Sequence, residues 1–244
     1  MAELIDFGRG PLFRFAILVA LLGLARYASL SVIALWRTHR RTGRGRLRMG
    51  TVLARTLRGL NPLRHLGGSR WFTVLSSLLF HAGVILVPVL FLGHLRLWER
   101  PLGPGLSKLA LPAGLADGLT VATLLGAAGL LFARLGSALL RRTSRVQDWL
   151  LPLAIAVEFA SGYLLAHPTS NPFALQPVVL LHVWLGDALL LATPFTKIVH
   201  CAMLPFSHFV TQARGWLVPG AGEQVAQTLS AIRTTGRRST GGDP

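Results

Sequence analysis

One cysteine, Cys201, stands in 244 residues. That excludes an intramolecular disulfide framework, and with it a cysteine-ligated zinc or iron–sulfur site in this chain. No C-x-x-C-H run occurs, so no c-type haem is attached covalently, and any redox group has to be held by other ligands. Acids are scarce as well: nine Asp and Glu stand against 25 Lys and Arg, for a net charge of +16. Charged residues make up only 14% of the chain, where soluble domains carry about 25%. A basic leader is missing too. Ala2–Asp6 is short and acidic, and the first apolar block is too long for a signal-peptide core, so a retained span is expected there.

What fills the chain is hydrocarbon. Apolar residues are 52% of it and the mean hydropathy is +0.53. They fall in long blocks, at 12–36, 72–95, 115–140, 149–167 and 176–204. About 20 apolar residues span the ~30 Å of a bilayer core, and an outer-membrane barrel would instead alternate in strands of about 10 residues. The expected fold is all-α, an integral membrane bundle of five transmembrane helices. Residues 1–206 would form the membrane domain, with a basic loop at 37–70, and residues 207–244 a basic, solvated tail.

The positive charge is not evenly spread. Ten arginines lie between Arg37 and Arg70, connecting spans one and two. Arg141, Arg142 and Arg145 connect spans three and four, and the tail holds Arg214, Arg233, Arg237 and Arg238. In a five-span chain these segments share one side, so the positive-inside rule places the N-terminus outside and the C-terminus in the cytoplasm. Anionic lipid or an acidic subunit explains this pattern better than nucleic acid does. Within 37–70, Leu53, Leu57, Leu60, Leu63 and Leu66 recur at near-helical spacing among arginines, as in a short helix lying on a membrane surface; a disordered polybasic loop is the alternative. Arg14 and Arg26 sit inside span one. Arg14 is in reach of the outer surface, while Arg26 is deep enough to mark function or to need a structural partner. Glu158 and Asp187 are the acids inside spans, suited to proton relay or to a structural pairing.

Eight histidines divide by position. His39, His65, His167 and His208 fall in loops or at helix ends, where solvated roles are expected. His81 and His94 belong to span two, and His182 and His200 to span five. Two histidines on each of two antiparallel spans is what two stacked bis-histidine haems require. Matching depth pairs His81 with His200 and His94 with His182. His182 and His200 are 18 residues apart, five turns of one face, but His81 and His94 are 13 apart and some 140° out of register on an ideal helix. Span two is therefore expected to kink or underwind near Pro88, bringing His94 round to His182; otherwise His94 is interfacial and one haem is held. Arg96 is placed to meet a propionate at the outer pair and Arg134 at the inner pair, each with snorkelling to the interface as the alternative.

The run His182-Val-Trp-Leu-Gly-Asp-Ala-Leu-Leu-Leu-Ala-Thr-Pro-Phe-Thr-Lys-Ile-Val-His200 resembles the last helix of respiratory nitrate reductase gamma subunits. Phe80-His81-Ala-Gly is similar to the first ligand of that family's second helix, and Arg26-Tyr27 has a counterpart there. Gly93-His94-Leu95-Arg96-Leu97, Gly186-Asp187 and Pro194-Phe195-Thr196-Lys197 look closer to the DsrM and heterodisulfide-reductase (HdrE) branch. The likeness covers most of the topology, with its specific motifs in spans two and five. It implies two non-covalent haem b groups, quinone or quinol as substrate, and Lys108 near the quinone. It also implies a cytoplasmic iron–sulfur partner with CCG domains (DsrK/HdrD-like) and further membrane subunits, in a DsrMKJOP-type complex of a bacterial inner membrane. The alternatives are a nitrate reductase gamma subunit serving a molybdenum enzyme, a transporter or channel subunit, and a haem-free anchor.

Overall fold

The computed structural model describes residues 1–42, 48–61 and 71–218. Leu63, Leu66 and His65, and the arginines at 44, 46, 64, 70, 233, 237 and 238, lie outside the described residues. Within them the chain is helical, with no strand. In order come α1 (Ala2–Phe7), α2 (Phe13–Thr42), α3 (Met49–Leu60), α4 (Trp71–Leu90), α5 (Leu92–Leu102), α6 (Ala113–Gly136), α7 (Ala138–Thr143), α8 (Val146–Ala166), α9 (Leu175–Ala192) and α10 (Val199–Leu217). Five helical segments are long and apolar enough to cross a membrane: Ala2–Thr42, Trp71–Leu90, Ala113–Gly136, Val146–Ala166 and Leu175–Leu217. The protein is a multi-pass membrane protein.

The chain divides into two compact units, one of Met1–Ala25 with Pro62–Met203, the other of Arg26–Asn61 with Leu204–Pro244. The first has its core in Phe80, Val87, Ala127, Leu130, Ile155 and Phe159. α4 and α6 meet there backbone to backbone. A Cβ on Gly126 would lie 2.5 Å from the Phe80 amide nitrogen and 2.6 Å from the Ser76 carbonyl, and one on Gly83 would strike the Thr123 hydroxyl. Lipid gives packed apolar faces no hydrophobic reward, so close approach of small residues is what holds such helices together. The buried hydroxyls cost little. Thr120 donates to the Ala116 carbonyl at 2.9 Å and Thr123 to that of Leu119 at 2.7 Å.

Span two does not simply bend at Pro88. The helix runs through the proline to Leu90, breaks at an extended Phe91 (φ −69°, ψ 133°), and restarts as α5. Carbonyls that the break frees are reused. Leu90 accepts from the Leu111 amide at 3.0 Å and Pro88 from the Trp98 indole at 3.1 Å, while Val87 keeps its bond from the Phe91 amide at 2.9 Å and also meets a His94 ring nitrogen at 3.3 Å. Irregular backbone in a membrane protein persists only where its polar groups find such partners.

Span five also differs from the continuous helix expected of it. A 3-10 turn, Thr193–Phe195, and an extended Thr196 (φ −123°, ψ 179°) interrupt it. α10 then continues as helix to Leu217, past the expected end of the span near 204. The five-turn spacing of His182 and His200 is thus not a property of one helix.

The connection from α5 to α6 is organised by Glu99. Its Oε1 accepts from the Gly105 amide at 2.9 Å and the Ser107 amide at 2.8 Å, while Gly103 (φ +97°) and Gly105 (φ +106°) supply the left-handed backbone. The Ser107 hydrogen bond is the main cause that holds the exposed Glu99 carboxyl below its usual range. A depressed carboxylate contributes its stability above its unfolded-state pKa and loses it as pH falls through the folded value. Amide exchange at Gly105 and Ser107 is therefore expected to speed up relative to its neighbours as pH drops below the ordinary glutamate range. Glu99→Gln should blunt that dependence, and equal pH responses in both proteins would refute the assignment.

In the second unit, Val52, Thr56, Val210, Ala213 and Leu217 are buried. A Cβ on Gly59 would lie 3.2 Å from the His208 ring. α3 is a helix, as its leucine spacing suggests, but it turns Val52 and Thr56 inward and leaves Met49, Leu53 and Leu57 exposed. The guanidinium groups of Arg48 and Arg55 each lie 5.9 Å from the centre of the Trp216 ring. The described residues of this unit include eight arginines and no acid.

Candidate functional site

The structure brings the four histidines expected in spans two and five together as two pairs, both within the first unit. His81 on α4 and His200 on α10 face each other with their Nε2 atoms 3.3 Å apart, ring centres 5.5 Å apart and planes at 64°. His94 on α5 and His182 on α9 lie with ring centres 6.0 Å apart and planes within 8° of parallel. The break at Phe91 is what turns His94 toward α9, since it resets the register that an unbroken helix would impose.

Each ring is anchored through Nδ1. That of His81 is 2.7 Å from the Ser77 carbonyl, and that of His94 meets the Val87 carbonyl described above. His200 Nδ1 contacts the Lys197 carbonyl. His182 Nδ1 is 3.2 Å from the Glu158 carbonyl, 3.1 Å from Glu158 Oε1 and 3.1 Å from Ser161 Oγ. A carbonyl only accepts, so the proton of every ring is fixed on Nδ1 and Nε2 is left with its lone pair. That tautomer, with a carbonyl or carboxyl behind it, is how a metal-ligating imidazole is oriented.

The turn before His200 is clamped from α8. Lys197 Nζ donates to Asp148 Oδ1 and Oδ2 at 2.6 and 2.7 Å, and the Lys197 amide donates to Gln147 Oε1 at 3.2 Å. Asp148 in turn accepts from the Arg145 amide at 2.8 Å, closing the start of α8. Sequence reasoning missed Asp148. Its signal was an acid three residues into a helix, an ordinary capping position that gives no hint of a partner 49 residues away. An open cleft of about 710 Å³ lies beside His200, lined by Arg145, Gln147, Thr196 and Lys197 among others.

Cys201 joins the first pair. Its Sγ is 3.8 Å from His200 Nε2, and the ligand atoms of His81, His200 and Cys201 all lie within 4.8 Å of one another. A single cysteine bars a thiolate cluster, yet a mixed histidine–thiolate site needs only one.

The supporting cations are dispersed. Arg134 donates to the Leu130 carbonyl of its own helix at 2.9 Å. Arg96 is exposed two residues after His94, and Lys108 is exposed in the short 3-10 turn Leu106–Leu109. Arg14 and Arg26 are exposed on α2. Of the remaining histidines, His167 pairs with Asp117 at 3.4 Å, a partnered role where a solvated one was expected. Glu158 and Asp187 each keep a buried oxygen, Oε2 and Oδ2, without a hydrogen-bond partner among the described residues. Such burial is costly and marks the interior beside His182 as polar.

No family model matches the chain, and no solved structure resembles it closely enough to count as a match. It is similar to a curated protein of Nitratidesulfovibrio vulgaris (strain Hildenborough) described only as "Protein", at 32% identity over 133 residues. That alignment covers 54% of this chain, which spans little more than half, 56%, of the relative's length.

Proposed function

We propose that the chain is a di-haem cytochrome b subunit of a bacterial inner-membrane redox complex. It would carry electrons between quinone and a cytoplasmic iron–sulfur partner, as in the nitrate reductase gamma and DsrM-like proteins it resembles. The observation that carries the reading is the pair of histidine contacts, each ring held through Nδ1 and turned to a histidine of another helix. Metal–imidazole bonds of about 2.0–2.1 Å put two facing Nε2 atoms ~4 Å apart and their ring centres roughly 6 Å apart. The ring centres of His94 and His182 stand at 6.0 Å with near-parallel, stacked planes, so one ring would turn to present its Nε2 to a shared metal. His81 and His200, at 3.3 Å, would part by ~0.7 Å to take a metal between them.

Bound haem would supply one-electron chemistry at each pair. The protein's part is to fix the four imidazoles, hold their protons on Nδ1 and exclude water from the bundle. Arg145 lines the cleft at His200, where an anionic group of a cofactor or partner would find positive charge, while Lys197 beside it is engaged by Asp148. Arg96 and Lys108 are free to do the same near His94, by a propionate and a quinone respectively. Arg134 is committed to its own helix and is the weakest of these assignments.

The test is a reduced-minus-oxidised spectrum of the purified chain with a haem assay. A b-type α-band and two haems per chain are expected. A second reading, favoured by Cys201, is a compact metal-ion site of His81, His200 and Cys201. Metal analysis showing one bound transition-metal ion and no haem would choose it, and an absence of both leaves a membrane anchor.

The second unit points to anionic lipid. Its described residues carry arginines without acids, an exposed Met49, Leu53 and Leu57 stripe, and Trp216 between two guanidinium groups. Each basic residue at such a surface contributes about 1 kcal/mol. Replacing Arg48 and Arg55 with Gln is thus expected to lower retention of anionic phospholipid in native mass spectrometry by about fivefold per residue, with the absorption spectrum unchanged. Unaltered retention would refute the assignment.

A further inference from the structure

α8 contributes no histidine to either pair, yet it surrounds one of them. The geometry points to Glu158 as the positioning residue of His182, one that makes the two haem sites chemically unequal; this rests on the di-haem reading above. His182 Nδ1 is the ring nitrogen among the four that faces a carboxyl group, Glu158 Oε1 at 3.1 Å, where the other three face main-chain carbonyls.

The contact is built. The side chains of both residues are largely enclosed, 18% exposed for His182 and 15% for Glu158. Ser161 Oγ donates to the Glu158 carbonyl at 2.8 Å, so its lone pairs are left to face the ring. Two glycines clear the space. A Cβ on Gly162 would come within 3.0 Å of His182 Cε1, and one on Gly186 within 3.0 Å of Glu158 Oε1. Helix α8 thus presents its backbone to the ring, and α9 presents bare backbone to the carboxyl.

An ionised carboxylate oxygen is a stronger acceptor for the Nδ1 proton than an amide carbonyl, because it bears more negative charge. It draws that proton further and raises the electron density at Nε2. An electron-rich imidazole stabilises oxidised over reduced iron. The site of His94 and His182 is therefore set lower in potential than its own ligands alone would make it, and the site of His81 and His200 is not.

The test is a redox titration of the purified full chain, following each haem by its spectrum. Glu158→Gln keeps an oxygen at the site with less charge. It is expected to raise the potential of one haem by about tenfold in the reduction equilibrium, ~59 mV for one electron, and to leave the other unmoved at full haem content. Glu158→Asp keeps the carboxyl group but withdraws it by a methylene, and the same haem should shift in the same direction. Two haems with unmoved potentials would overturn the inference, and so would equal shifts of both, which signal a general field. If Gln costs both haems the protein has failed to fold and the Asp variant decides; unchanged potentials there count against the role. A wild-type chain without haem overturns the di-haem reading itself, a different result from two haems that ignore Glu158.

Discussion

Replacing His200 with alanine is expected to halve the reduced b-band, a loss of about one haem in two. His200 is one side of the His81 pair, and an iron left with one imidazole would lose its low-spin spectrum and one of its two bonds to the protein. His94 and His182 sit on α5 and α9, on the far side of both helix interruptions, so the second haem should remain. Quinol would still reduce that remaining haem, while electrons should no longer reach a soluble acceptor. Cys201→Ala is the control. In a haem site the thiol is a bystander and the spectrum stays, whereas in a compact metal site its loss releases the ion. Two haems retained in His200→Ala would sink the pairing.

Gly126→Leu should damage the protein more widely. The first added carbon would sit 2.5 Å from the Phe80 nitrogen and 2.6 Å from the Ser76 oxygen. These are backbone atoms, which cannot swing aside as a side-chain tip does. Overpacking typically costs ~1–3 kcal/mol, and four carbons against backbone belong at or beyond the upper end. At roughly 2–4 °C per kcal/mol for a chain of this size, Tm should fall by several degrees. The site beside the contact should fail first, because His81 follows Phe80 in sequence. Gly136→Ala is the matched control, since a Cβ there meets nothing within 4 Å. A Gly126→Leu protein with wild-type Tm and full haem content would mean that α4 and α6 do not pack as described.

The five spans were legible because a bilayer demands unbroken apolar length, and that demand is written residue by residue. The two histidine juxtapositions were legible from depth alone, which is fixed by counting along antiparallel spans. Rotation about the helix axis was not. Pro88 announced that span two departs from regularity, but the break falls at Phe91, where the freed carbonyls find Leu111 and Trp98 as donors. Those partners lie up to 21 residues from the carbonyl they satisfy and no local pattern marks them. Nothing local marked the interruption at Thr193–Phe195, which is followed by Lys197 and its bond to Asp148, 49 residues away. For α3 the leucine spacing found the helix, and its exposed Leu53 and Leu57 are compatible with the surface-lying helix expected there. In a membrane protein an apolar stripe can turn to lipid as readily as to a core, and only Val52 and Thr56 pack inward.

The two histidine pairs are separated along span two by 13 residues, roughly 20 Å of rise. Trp71–Leu90 is by itself long enough to cross ~30 Å of hydrocarbon, so His94 stands past its end while His81 lies near its middle. Two haems so placed would not share one electrical potential in an energised membrane. An electron passing between them would move through up to about half of the dielectric. At about 2.3 kcal/mol per charge per 100 mV for a full crossing, that comes to ~1.2 kcal/mol per 100 mV. A resting voltage would then tilt the distribution of the electron between the pairs several-fold, and the membrane's state of charge would act on the protein with no ligand bound.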